Sequence, residues 1–275
     1  MKKIFKLLFL IVTISTIFLA CGENNTNEKN EVTLRSSPLK QISNWFYLGD
    51  IHNEYMMEAC SSFDAKGINT KEEGLIYISD FATDFTPSDD RHHEDISEGI
   101  SNFTNDWTFL IENQLKAEAN SDRIHESLAS GVTLGLIDNF EKNLLIEILN
   151  LTNENYSFEE LNDFIDEKIL SWEAQGYAES DHFGTYSGMV LAISKKSTEW
   201  WLTHEECLLD ESSRWVWLAS DAVGAGIGLC VALISHELTG ESNPDSVGVS
   251  IVAGAVVGSL GIAGRLGKAI SKWWP

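Results

Sequence analysis

The sequence predicts an all-α fold, in which an acidic multi-helix domain precedes a glycine-rich helical hairpin. Three observations lead to this prediction. Apolar residues recur at intervals of three and four from about residue 42 to residue 211, which is the period of amphipathic helices. The same stretch lacks the sustained apolar and polar alternation that is typical of strands. Half of the 20 glycines fall within residues 212–275, beside two long apolar segments.

Composition bounds the class of protein before any motif is considered. The 275 residues include 43% hydrophobic residues, enough for one sizeable core or two small ones. The formal net charge of −23 excludes a general affinity for nucleic acid, because phosphate binding requires an excess of lysine and arginine. The four cysteines show no CxxC spacing, so neither a zinc ribbon nor a redox motif is predicted.

The N-terminus predicts export. Residues 1–6 are basic and residues 7–20 are uncharged and mostly apolar, as in a secretory signal, and the stretch is too short for an ordinary spanning helix. The segment ends in Phe18-Leu19-Ala20-Cys21, which resembles the lipobox of bacterial lipoproteins, apart from Phe18 where an aliphatic residue is usual. The resemblance implies that residues 1–20 are removed and that Cys21 is acylated with fatty chains such as palmitate. A plain secretory signal and an uncleaved anchor are the alternatives.

A polar segment follows the predicted lipidation site. Residues 22–31 contain no apolar side chain and therefore cannot contribute to a core. We interpret residues 21–42 as a flexible tether between a lipid-modified Cys21 and the folded part. Three acyl chains would hold the protein stably on a membrane, so the expected location is the cell envelope, at the outer membrane and facing either the periplasm or the cell surface.

Six apolar stripes predict the helices of the acidic domain, residues 43–211. They cover residues 51–63, 75–85, 96–115, 140–149, 161–170 and 189–200. Thr70 with Glu73, and Ser157 with Glu160, have the spacing of capping boxes that begin a helix. Gly176 is placed to end the helix that starts after Ser157. Residues 132–137 form a short apolar run that is compatible with either a strand or a helix.

The tail, residues 212–275, carries as many acidic as basic residues. Two apolar segments, 215–235 and 247–264, flank a polar turn at 236–245, and this order predicts a helical hairpin. Asp221 is the only charged residue in the first segment. Glycines four residues apart let two helices approach closely; they are Gly224 with Gly228 and Gly254 with Gly258.

Two interpretations of the hairpin remain open. In the first, it contacts a bilayer, with an interfacial belt of tryptophans formed by Trp215, Trp217, Trp273 and Trp274. In the second, it is the core layer on which the acidic helices pack. The second is favoured because Asp221, near a helix centre, would cost roughly 2.5–3.5 kcal/mol to insert.

Candidate chemistry is sparse. The cluster at residues 89–95 contains donors suited to a divalent cation, with His92, His93, Glu94 and Asp95 as candidates. Adjacent helical residues point about 100° apart, so we interpret the cluster as a polar loop leading into the next helix and predict no metal. His52 with Glu54, and the neighbouring pairs at 125–126, 204–205 and 236–237, lack the second histidine of HExxH and are interpreted as solvated. No cofactor motif is present.

Three cysteines remain after the predicted lipidation site. Cys60 and Cys207 are candidates for a disulfide if their helices meet. Cys230 lies in an apolar segment and is expected to be a buried thiol.

Two short motifs carry a further resemblance. Residues 49–55 (GDIHNEY) and 197–201 (STEWW), followed by a glycine-rich tail, resemble a group of exported bacterial proteins with no established activity, and the resemblance implies architecture only. Because no catalytic spacing stands out, the sequence favours an interaction protein of the cell envelope, with a membrane through Cys21 and an unidentified protein as its partners. The alternatives are a membrane-active, bacteriocin-like protein that uses residues 212–275 and a carboxylate-dependent hydrolase.

Overall fold

Helices dominate the computed structural model, which describes residues 38–66, 85–88, 95–100, 117–151, 156–204, 214–240 and 243–259. A 3₁₀ turn, η1 (Ile42–Trp45), leads into the α-helices. These are α1 (Phe46–Lys66), α2 (Ala117–Thr133), α3 (Asn139–Leu149), α4 (Phe158–Glu173), α5 (Thr185–Thr203), α6 (Arg214–Thr239) and α7 (Pro244–Val257). Residues 95–100 are also helical. Within the described ranges, strand pairing is limited to one bridge, between Leu39 and Ala178. The all-α prediction is confirmed.

The predicted stripes correspond to α1, α3, α4 and α5, and residues 95–100 lie at the start of the predicted 96–115 helix. Ser157 and Glu160 form the expected capping box: the Ser157 side chain accepts from the Glu160 backbone, and the Glu160 carboxylate accepts in return. The Thr70 and Glu73 pair, most of the 75–85 stripe and residues 101–115 lie outside the described residues. Residues 132–137 complete α2 and form a turn.

Helix α2 was not predicted. Its apolar residues Ile124, Leu128 and Val132 are four apart, but alanine, serine and charged residues fill the other positions. Only one narrow stripe is therefore apolar, and Leu128 at its centre is fully buried. A stripe of three residues over two turns gives a weak periodic signal, so the helix is stabilised mainly by its tertiary contacts.

Helices α6 and α7 form the predicted hairpin, called here the C-terminal hairpin. Gly240 directly follows the last residue of α6 and has a φ of 73°, a backbone conformation that glycine adopts without steric cost. Asn243 then caps α7, and Pro244 occupies its first turn, where a missing amide proton does no harm.

The four predicted glycines lie where the two helices touch. A Cβ atom built on Gly224 would lie 2.3 Å from the carbonyl oxygen of Gly254, and one built on Gly254 would lie 2.4 Å from the carbonyl oxygen of Gly224. Gly228 faces the Ser250 carbonyl oxygen in the same way, at 2.1 Å, and Gly258 lies against the backbone of α6. Backbone packs directly on backbone, which only glycine permits at these positions.

The C-terminal hairpin lies at the centre of the helical unit. Helix α6 packs against α2, α3, α4 and α5, while α7 packs against α1 and α5. Residues 218–230 are all buried, as are residues 247–257 apart from the half-buried Ser250. Among the described residues, no helix combines the length and apolar character needed to cross a membrane. Side chains of Trp215 and Trp217, and all of Trp273 and Trp274, lie outside the described residues.

Pro38, inside the segment interpreted as a tether, is the first residue that the structure describes, and it is already hydrogen-bonded. The Pro38 carbonyl accepts from the Glu179 amide, and the Lys40 amide donates to the Tyr177 carbonyl. The Lys40 ammonium is buried and donates to the carbonyl oxygens of Asp181 and Phe183, at 2.6 Å for Phe183. Burial lowers the pKa of Lys40. These contacts tie residues 38–40 to the loop between α4 and α5.

Candidate functional site

His52 lies at the centre of a buried polar cluster. It is on the α1 face that also carries Leu48, Tyr55 and Met56, and its side chain has no exposed surface. The interpretation of His52 as a solvated residue was therefore wrong. Helical periodicity places residue 52 beside these apolar neighbours, so the position was predictable, whereas the polar partner that permits its burial lies far away in sequence.

That partner is Asp221, the single charge in the apolar part of α6. Its carboxylate is fully buried. The Trp201 indole donates to Asp221 Oδ2 at 2.8 Å, and the Ser197 hydroxyl donates to the same oxygen. The Ser259 hydroxyl donates to Oδ1. A buried carboxylate needs hydrogen-bond donors on both oxygens. Here α5 supplies the donors to Oδ2, and the segment after α7 supplies the donor to Oδ1.

His52 completes this cluster from α1. Its Nε2 lies 2.9 Å from Ser259 Oγ and 3.8 Å from Asp221 Oδ2. Its Nδ1 lies 3.0 Å from Asn53 Oδ1. Burial raises the pKa of Asp221, while the nearby His52 and the donated hydrogen bonds act in the opposite direction. We call His52, Ser197, Trp201, Asp221 and Ser259 the His52–Asp221 network.

The network brings the two sequence motifs together. A Cβ atom on Gly49 would lie 2.5 Å from the Lys196 Cβ atom, so α1 and α5 approach closely at this point. The Asn53 amide donates to the Lys196 carbonyl at 3.0 Å. Lys196 Nζ also pairs with Asp50 at 3.0 Å. Residues 49–55 and 197–201 are thus neighbours on α1 and α5, and Asp221 joins both to the C-terminal hairpin.

The arrangement of Ser259, His52 and Asn53 has the contacts of a nucleophile, a base and an orienting amide. The serine and the histidine, however, have no exposed surface, and the serine hydroxyl already donates its hydrogen to the Asp221 carboxylate. A substrate would need access to the serine oxygen. The chemistry that the closed structure supports is internal: hydrogen bonding and proton sharing between helices.

A second buried cluster surrounds Glu141 at the start of α3. Ser187 Oγ donates to Glu141 Oε1 at 2.7 Å, and the Trp172 indole donates to Ser187 Oγ at 2.9 Å. Burial raises the pKa of Glu141. Asp138 and Glu141 form a capping box, and Tyr177 donates to Asp138 at 2.9 Å. Both carboxylates are thus engaged in capping α3.

Of the four weak metal candidates, only Asp95 lies among the described residues. Asp95 is exposed at the start of the helical residues 95–100, while His92, His93 and Glu94 lie outside the described residues. Across the ranges that the structure describes, no group of three or more histidine, cysteine, aspartate or glutamate side chains is arranged to hold a metal ion.

The cysteines have different environments. Cys60 is disulfide-bonded, but its predicted partner, Cys207, lies outside the described residues, so this pairing stays a prediction. Cys230 is a free buried thiol on α6. Burial raises the pKa of Cys230 to about 12, which makes it unreactive as a thiolate. Cys21, the predicted lipidation site, also lies outside the described residues.

Sequence reasoning missed Asp221 and Glu141 as buried groups, although each left a signal. A lone carboxylate within a long apolar segment implies an internal partner, and Asp138 with Glu141 has capping-box spacing. The identity of the partners required the fold. Comparison with protein-family models, with curated proteins and with solved structures finds no match to the chain.

Proposed function

We propose that the chain is a lipid-anchored protein of the bacterial cell envelope, and that its helical unit serves as an interaction module for a protein partner. The observation that carries this proposal is the central position of the C-terminal hairpin. Apolar residues 247–257 are almost entirely buried among the other helices. The hairpin therefore supplies the core of the unit, and the attachment to a membrane is assigned to the predicted lipid on Cys21.

The charge distribution supports a cationic contact surface on the partner. Described lysines are largely neutralised by neighbours: Lys168 Nζ lies 2.5 Å from a Glu147 carboxylate oxygen and Lys195 Nζ lies 2.7 Å from an Asp166 carboxylate oxygen. Acidic residues far outnumber basic ones in the chain, 42 against 19. Complementary charge speeds association and excludes wrong partners, so binding is expected to weaken as ionic strength rises.

Lipidation is tested by metabolic labelling with a clickable fatty acid. We expect the Cys21→Ser variant to lose the label entirely, because the thiol at residue 21 is the predicted acceptor. The matched control is Cys230→Ser, which removes a buried thiol and should leave labelling unchanged. Label that persists in Cys21→Ser, or that disappears in Cys230→Ser alone, would contradict the assignment.

The preference for an interaction module over a membrane-active protein is tested by dye release. The full chain carrying Cys21→Ser is added to vesicles of anionic and zwitterionic lipids that contain a quenched dye. We expect no release above the level of a buffer blank, because the apolar faces of α6 and α7 are turned towards each other and towards α1–α5. Release that disappears when Gly254 and Gly258 are both replaced by aspartate would favour the membrane-active alternative.

A further inference from the structure

We propose that His52, Ser259 and Asp221 share a single proton in the folded protein, and that this proton forms a pH-sensitive lock between the C-terminal hairpin and helices α1 and α5. The inference goes beyond the proposed function, since it concerns how the fold is held closed. It follows from counting donors and acceptors along one continuous path of buried atoms.

The histidine end of the path is fixed by Asn53. Its amide nitrogen donates to the Lys196 carbonyl at 3.0 Å, which turns its carbonyl oxygen towards His52 Nδ1, also at 3.0 Å. An oxygen without a proton faces Nδ1, so Nδ1 must carry a hydrogen. The shared proton can therefore reach His52 only at Nε2, the nitrogen that faces Ser259.

The carboxylate end is fixed by Trp201. An indole nitrogen can only donate, so Asp221 Oδ2, which receives the Trp201 and Ser197 hydrogens, must remain an acceptor. A proton on Asp221 therefore belongs on Oδ1, the oxygen that faces Ser259. The two variable atoms, His52 Nε2 and Asp221 Oδ1, both contact the same serine hydroxyl.

A single proton can complete the hydrogen bonds along this path in two ways. With the proton on Nε2, His52 donates to Ser259 and the Ser259 hydroxyl donates to the carboxylate. With the proton on Oδ1, Asp221 donates to Ser259 and the hydroxyl donates to a neutral His52. Both forms are electrically neutral overall and leave no donor unused; the Ala255 carbonyl, 3.1 Å from Ser259 Oγ, is a secondary acceptor.

Other proton counts leave an uncompensated group. With no proton, the single Ser259 hydrogen cannot serve both Nε2 and Oδ1, and a carboxylate charge is buried without a cation. With two protons, a buried imidazolium has no anion. Either state is unfavourable for fully buried groups. Among the described residues in contact with Asp221, His52 from α1 is the titratable one; α5 supplies Ser197 and Trp201, and the segment after α7 supplies Ser259.

The sign of the pH effect follows from the unfolded chain. Unfolded aspartate and histidine titrate near pH ~3.9 and ~6.5, so above about pH 7.5 the unfolded chain holds neither proton while the folded path holds one. Burial raises the pKa of Asp221, in agreement with this count. Stability from the lock is therefore retained in mild acid and lost as pH rises, and the folding equilibrium constant should fall up to about tenfold per pH unit.

The experiment measures proton release on unfolding of the full chain near pH ~8, in wild type and in Asp221→Asn. An asparagine can donate to Ser259, which then donates to a neutral His52, so the variant reproduces the closed path without a titrating proton. We expect the wild type to release about one proton more than the variant. Release from Cys230 and the buried tyrosines is common to both proteins and cancels. The exposed Asp245 on α7 gives the control Asp245→Asn, which should match the wild type.

Equal release from wild type and Asp221→Asn would overturn the proposal. If Asp221→Asn does not fold, NMR of the His52 ring nitrogens and of the Asp221 carboxyl carbon in the wild type near pH ~8 decides the question. A proton on either Nε2 or the Asp221 carboxyl would support the proposal, and an unprotonated Nε2 beside an ionised carboxylate would overturn it.

Discussion

Replacing Gly254 by alanine should lower the free energy of unfolding by about 3 kcal/mol or more, since overpacking of a filled core typically costs 1–3 kcal/mol and the new methyl group here meets backbone. Its Cβ would lie 2.4 Å from the Gly224 carbonyl oxygen and 2.9 Å from Gly228 Cα. A flexible side chain could move aside, but a helix backbone cannot shift without separating α6 from α7 along its length. Urea denaturation of the full chain, monitored by tryptophan fluorescence, measures the effect.

Gly248 provides the matched control on the same helix. A Cβ at this position would lie 3.6 Å from a Leu48 methyl carbon, an ordinary contact. Gly248→Ala should therefore leave stability unchanged or raise it by up to about 1 kcal/mol through helix propensity. Equal effects of the two substitutions would show that the close approach of the helices at Gly254 does not determine stability.

The hairpin was predictable because its signals are local. Glycines four apart, two apolar segments and an intervening polar turn with Asn243 and Pro244 all lie within 64 residues of sequence, and each has a direct backbone consequence. Ser157 and Glu160 were predictable for the same reason, since a capping box involves residues three apart. Helix α2 was missed because its single apolar stripe, around Leu128, gives weak periodicity.

The polar network was not predictable from local patterns. His52 and Ser259 are separated by 207 positions, and Ser259 and Asp221 by 38, so no spacing rule connects them. The sequence alone did identify the two motifs that contain His52 and Ser197. It also identified Asp221 as the only charged residue in an apolar segment. What the sequence lacked was the crossing of α1, α5 and the C-terminal hairpin, which places Ser259 and Asp221 beside the buried face of α1 that carries His52.

The two buried clusters connect different sets of helices. Glu141 and Ser187 join α3 to α5, and Trp172 of α4 donates to the same serine. The His52–Asp221 network joins α1 and α5 to the C-terminal hairpin. Close-packed apolar side chains fit their neighbours by shape, and a buried carboxylate adds directed donors that must also be matched. We expect each cluster to favour one packing arrangement of its helices.

Removing His52 should have the largest effect among single changes to the His52–Asp221 network. In His52→Ala, the Asp221 carboxylate loses its only titratable neighbour among the described residues, and breaking a buried charge pair in this way typically costs about 3–5 kcal/mol. The loss in stability should be greatest above neutral pH. There the Asp221 carboxyl group of the variant must either ionise without a nearby cation or keep a proton that the unfolded chain would release. Urea denaturation at two pH values measures both the size and the pH dependence.

The double variant His52→Ala/Asp221→Asn separates charge from packing. Without a carboxylate to ionise, the second substitution should recover about 1–2 kcal/mol relative to His52→Ala, a coupling typical of directly interacting residues. Glu58→Ala, an exposed change on the same helix α1, should stay within about 0.5 kcal/mol of the wild type. Strict additivity of the two core substitutions would mean that His52 contributes only volume, because a cavity left by the imidazole would persist whether or not residue 221 carries a charge.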